Sequence, residues 1–172
     1  MSNLQARAAS AYATVSLESQ AGAAGGVELV ILLIEGAIDR IKRAKIAIRQ
    51  RDINQKITQM NIALKIISEG LRGHLDVRGG GEIAQNLDDL YAYCSVRLLH
   101  ANSKNDVDIL DEIVRLLSPL LEAWNAVRSS SQPEALAGKT LMDVTRVLKS
   151  AVPSVQRLYG ANAYGSHSEM GA

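Results

Sequence analysis

The sequence predicts an all-α protein: an antiparallel up-down four-helix bundle, with an arm in front of it and an additional short helix and tail behind. Three observations carry this. Four consecutive segments place apolar residues at spacings of three and four, the period of one helix face. The links between them are short, which forces consecutive helices to run antiparallel. The apolar residues are Leu, Ile, Val, Ala and Met, with no Phe, one Trp and five Tyr, whereas strands draw on aromatic as well as β-branched side chains.

Residues 1–26 hold many Ala, Ser and Gly and close on Gly25-Gly26, which predicts a flexible N-terminal arm. The bundle is expected over 27–128. Its first segment repeats Val27, Val30, Ile31, Ile34, Ile38, Ile41 and Ile48 on one face, with Asp39, Lys42, Arg43, Arg49 and Gln50 opposite. Asp52 followed by Gln55 has capping-box spacing and opens the second segment, whose stripe is Ile53, Ile57, Met60, Leu64, Ile67, Leu71 and Leu75. Gly79-Gly80-Gly81 permits a reversal. The third segment carries Ile83, Leu87, Leu90, Tyr91, Cys94 and Leu98 and is expected to end near Asn102. Residues 103–106 make the next turn and cap. The fourth carries Leu110, Ile113, Leu117, Leu120, Trp124 and Val127, with Pro119 inside it predicting a bend. Over 129–172 a linker precedes a short stripe of Leu141, Val144, Leu148 and Val152, stopped by Pro153, and then a Gly, Ser, Ala and Asn tail expected to be disordered.

Composition excludes several function classes. A formal net charge of +1 calls for neither nucleic acid nor an acidic membrane. The basic cluster Arg40, Lys42, Arg43, Lys45, Arg49 and Arg51 has no interleaved aromatic for base stacking and reads as a solvated helix end. The most apolar stretch, 27–34, is interrupted by Glu28, so no segment is long enough to insert in a membrane. The first residues lack an apolar signal core, and a lone cysteine, Cys94, forms no internal disulfide; a cytoplasmic location is expected. A di-iron bundle needs two Glu-x-x-His pairs, but Glu69 and His74 are five apart and no second pair exists. Cys94 lies on an apolar stripe, as a small hydrophobe does. The glycine run follows a helix and lacks the Lys-Ser/Thr of a phosphate cradle. No catalytic residue, metal ligand or cofactor is expected.

What the sequence has in excess is apolar surface. Leu29, Leu32 and Leu33, then Ile62 and Ile66, then Val96 and Leu99, then Ile109 and Leu116 all stand beside the main stripes. A bundle helix needs about three of seven positions apolar. The surplus implies either a broad core or grooves for a partner, the other reading being that the fifth helix or self-association into an oligomer covers it, and pattern alone leaves these open.

The stretch 79–124 reads GGGEIAQNLDDLYAYCSVRLLHANSKNDVDILDEIVRLLSPLLEAW. It resembles the flagellar export chaperone family FliS, whose pattern runs GGEIA-x-NL-x-x-LY-x-Y, then RL-x-x-AN-x-x-ND, and ends in EAW. Upstream, Glu28-Leu29, Leu32-Leu33 and Glu35-Gly36-Ala37 resemble the family's first helix, and Ala11-Tyr12 its N-terminal tyrosine. Ile34 departs from the pattern, where the family carries Tyr.

The resemblance implies a cytoplasmic chaperone that binds the disordered C-terminal segment of flagellin, stops it polymerising early and assists delivery to the flagellar type III export gate. The alternative is a self-associating bundle or adaptor with no flagellin client. Partner-binding residues are then expected among Tyr12, Leu29, Leu32, Leu33, Ile62, Ile66, Leu87, Leu90, Tyr91, Leu98 and Asn102. Asn102 has two readings, a helix cap or a bond to client backbone. Tyr91 likewise reads as a core anchor or as a hydroxyl at a groove rim. The arm bearing Tyr12 and the stripe 141–152 are both candidates for covering the groove before the client arrives.

Overall fold

A computed structural model describes residues 23–130, 142–144 and 146. The arm residue Tyr12 and the tail beyond residue 146 lie outside the described residues. Four helices form the body: α1 (Ala23–Gln50), α2 (Ile53–Lys65) with a π-helical continuation (Ile66–Arg72), α3 (Gly81–Lys104) and α4 (Val107–Ser129). α1 lies between α2 and α4, and α3 closes the ring against α4 and the π segment. α1 begins at Ala23, ahead of the Val27 where its apolar period starts.

Two of the three links are a pair of residues built the same way. Arg51 and Asn105 take left-handed backbone, with φ of 58° and 54°. The N–H groups of Asp52 and Asp106 reach back to the Ala47 and Ala101 carbonyls, satisfying acceptors that the helix ends leave open. Each aspartate then caps the next helix: Asp52 Oδ1 accepts from the Gln55 N–H at 3.0 Å, and Asp106 Oδ1 from the Asp108 and Ile109 N–H groups. The left-handed cap of α3 is therefore Asn105, not the expected Asn102. The chain reverses where the αL residue stands, and α3 runs past Asn102 to Lys104. The third link is longer. Asp76 Oδ1 accepts from the Gly79 N–H at 2.8 Å, and Gly81, at φ 63°, needs the glycine.

The stripes of α1, α3 and α4 meet in one core. Ile31, Ile34 and Ile41 face Leu87, Tyr91 and Leu98 and also Leu110, Ile113, Leu117 and Leu120, all fully buried. Pro119 sits inside α4 without ending it. The second stripe is only partly core: Met60, Ile67 and Leu71 are buried, whereas Ile53 is 66% exposed and Ile57 41%. These two stand in the first turns of α2, where α3 approaches only sparsely.

Candidate partner-binding surface

Polar contacts fix the helices that frame the surface. Glu112 of α4 accepts from the Tyr93 hydroxyl and pairs with Arg97 Nη2 at 2.5 Å, joining α3 to α4. Burial works against the Glu112 carboxylate, but the Arg97 and Tyr93 hydrogen bonds outweigh it and hold its pKa below the ordinary carboxylate value. Burial, reinforced by that bond to Glu112, pushes the Tyr93 phenol up to about 12. Lys45 of α1 pairs with Asp111 of α4 at 2.5 Å, and Arg72 of the π segment pairs with Asp88 of α3 at 2.7 Å. Lys56, its stem buried, donates to the Asn102 carbonyl at 3.2 Å and to Asn105 Oδ1 at 2.8 Å, tying the start of α2 to the end of α3.

With the helices held, one apolar surface runs between α1 and the α2–π helix. Leu29, Leu33, Ile62 and Ile66 are half-buried along it, and Leu32 stands 62% exposed at its edge. Leu29, Leu32, Leu33 and Gly36 fall on one side of α1, while Ile62, Ile66 and Gly70 fall on the facing side of the partner helix. Two glycines set its depth. A β-carbon on Gly70 would lie 3.1 Å from Leu33 Cδ2, and one on Gly36 would lie 3.6 Å from Ile66 Cδ1. Each glycine thus receives a branched side chain from the opposite helix. A β-carbon at Gly70 would press the Leu33 side chain outward, whereas one at Gly36 would meet Ile66 at ordinary contact distance.

The structure separates the expected site residues into two groups. Leu29, Leu32, Leu33, Ile62 and Ile66 converge on this surface. Leu87, Leu90, Tyr91 and Leu98 lie in the core, because α3 turns this face inward where it packs on α4 and the α2–π helix. Asn102 is half-buried, and its carbonyl is engaged by Lys56. A second exposed apolar group, Val96 and Leu99 on α3, lies away from the first. Lys56 was not among the expected residues: a lysine inside an apolar period carries no signal of an inward role until its partner helix is in place.

The surface is built for contact rather than chemistry. Burial pushes the Cys94 thiol up to about 12, so it stays protonated and unreactive. Among the described residues no His, Cys, Asp and Glu group is arranged to hold a metal ion, and no helix is long and apolar enough to cross a membrane.

Comparison with known proteins agrees with the sequence motifs. The family model described as flagellar protein FliS matches residues 8–131. The chain is 41% identical over 117 residues to the flagellar secretion chaperone FliS of Salmonella typhimurium, covering 68% of this chain and 87% of that protein. It is 39% identical over 116 residues to the flagellar secretion chaperone FliSB of Pseudomonas aeruginosa, covering 67% and 91%. The similarity extends to FliS of Bacillus subtilis, 27% identical over 107 residues.

Proposed function

This chain belongs to the FliS family, and on that premise we propose that it is a non-enzymatic secretion chaperone whose client is the disordered C-terminal segment of flagellin. The observation that carries the reading is the α1–α2 surface, an apolar strip between two helices in which Gly36 and Gly70 each take in a side chain of the opposite helix. A client segment lays an amphipathic helix along Leu29, Leu32, Leu33, Ile62 and Ile66, so that the face that would drive its polymerisation is buried. The ordering cost on the client tempers affinity, which suits a complex that must come apart at the export gate. The cytoplasm is the compartment in which this exchange takes place.

The test is a titration with the last ~40 residues of flagellin from the same organism, a length that spans about 60 Å when helical and so covers the bundle. Helix gain by circular dichroism with a dissociation constant in the micromolar range or below is expected; no binding there removes the client. Exposed Val96, Leu99, Ile53 and Ile57 favour a second reading, self-association. Sedimentation equilibrium across a concentration series reads it directly.

A further inference from the structure

The chain continues past the span shared with its relatives. The family match ends at residue 131, while the sequence runs to 172. Within this extension residues 142–144 are helical, and Met142 and Val144 are half-buried against the bundle's hydrophobic core while Asp143 and Arg146 are exposed. Val144 belongs to the stripe of Leu141, Val144, Leu148 and Val152, and Asp143 and Arg146 lie off it. A short isolated helix is marginal in water, so the helical residues 142–144 depend on the packing of Met142 and Val144.

The point of attachment lies beside one end of the α1–α2 surface. Arg128, the penultimate residue of α4, reaches Glu28 Oε2 at 3.3 Å, and Glu28 precedes Leu29. The extension therefore starts at the end of the α1–α2 surface, with residues 131–141 able to reach at most about 40 Å. The exposed pair Ile53 and Ile57 is at the far end of the bundle. We propose that the stripe of Leu141, Val144, Leu148 and Val152 is a tethered competitor that lies on the Leu29, Leu33, Ile62 and Ile66 surface and is displaced by the client. Leu32, left open, is the foothold from which displacement starts. The tether raises the local concentration of a short stripe to about the millimolar range, so a weak contact suffices to occupy the surface without blocking a longer client. The inference rests on the flagellin reading for its client, while the docking itself is independent of it.

Two measurements test it on the full chain, a chain ending at Ser130, and the full chain carrying Val144→Asp. With the ~40-residue flagellin peptide, truncation and Val144→Asp should each tighten binding about tenfold, the gain expected when a surface nine-tenths covered is freed. Equal or weaker binding by both overturns the proposal. The second measurement places a thiol on the surface with Ile62→Cys and follows maleimide labelling; Cys94 is buried and does not compete. Labelling should be several-fold faster in the truncated and Val144→Asp chains, and equal rates overturn the proposal. If no chain binds the peptide, the flagellin reading fails, and the labelling rates still decide whether the extension covers the surface. Val144→Asp gives the same readings should the truncated chain fold poorly.

Discussion

Lys56 donates its ammonium to Asn105 Oδ1 at 2.8 Å, so the residue that reverses the chain after α3 is also the anchor for the start of α2. The same ammonium reaches the Asn102 carbonyl. One lysine thus spans the sparse side of the bundle, where apolar packing contributes least. Lys56→Met keeps the buried stem and removes the donors. It should lower stability by about 1–3 kcal/mol, since a partly buried acceptor loses a charged partner. Urea unfolding of the two chains measures it.

The Glu112 cluster makes stability depend on pH at both ends of the scale. Its carboxylate has a depressed pKa when folded, so its contribution is present above the unfolded value of 4.5 and is lost as pH falls through the folded one. Tyr93 is raised from 10.0 to about 12, so its contribution is present below pH 10 and fades as pH rises toward 12. The urea midpoint should therefore fall below about pH 4.5 and again above pH 10. Glu112→Gln should flatten the acid limb, and Tyr93→Phe the alkaline one. Unchanged slopes in both variants would remove the cluster as their source.

Gly70→Ala separates folding from binding. Alanine in a helix interior gains about 1 kcal/mol over glycine, while its β-carbon crowds Leu33 Cδ2 at 3.1 Å and pushes that flexible end outward. The two effects oppose, so the melting temperature should change little. The partner surface is reshaped, and affinity for the flagellin peptide should drop several-fold by calorimetry.

Leu32→Asp and Leu87→Ala should behave oppositely. Leu32 is exposed, and a surface change of this kind shifts stability by about 0.5 kcal/mol or less. Loss of its apolar contact with a client should weaken binding about tenfold or more, the equivalent of burying one leucine side chain. Leu87 is fully buried, and its truncation should cost about 2–5 kcal/mol. Parallel melts and titrations distinguish a surface residue from a core residue that shares its motif.

The core was legible because burial in a bundle repeats with the helix period. Ile34, Ile41, Leu87, Leu98, Leu117 and Trp124 all fall where the stripes put them. Periodicity misplaced Ile53 and Ile57, because a stripe shows which face is apolar and not where the neighbouring helix ceases to cover it. Asp52 was readable as a cap from its spacing to Gln55, and Asp106 fell within the expected 103–106 turn and cap, whereas the choice of Asn105 over Asn102 depended on which residue turns left-handed. For the candidate surface, the surplus of Leu29, Leu32, Leu33, Ile62 and Ile66 was visible in the pattern. Its depth was not, since that comes from Gly36 and Gly70 meeting side chains across two helices.

The π segment also bears on how the chain tolerates insertion and deletion. Seven residues, Ile66–Arg72, bond i to i+5, which is the signature of one residue added to an α-helix without disturbing the turns on either side. Between Met60 and the π segment, removing a residue would rotate Met60 and Ile67 out of phase with each other. Here the loss of exposed Glu69 is absorbed as the widened turn tightens to α, keeping Ile67 and Leu71 inward. In an alignment of related chains, this is the helical position where a one-residue gap belongs.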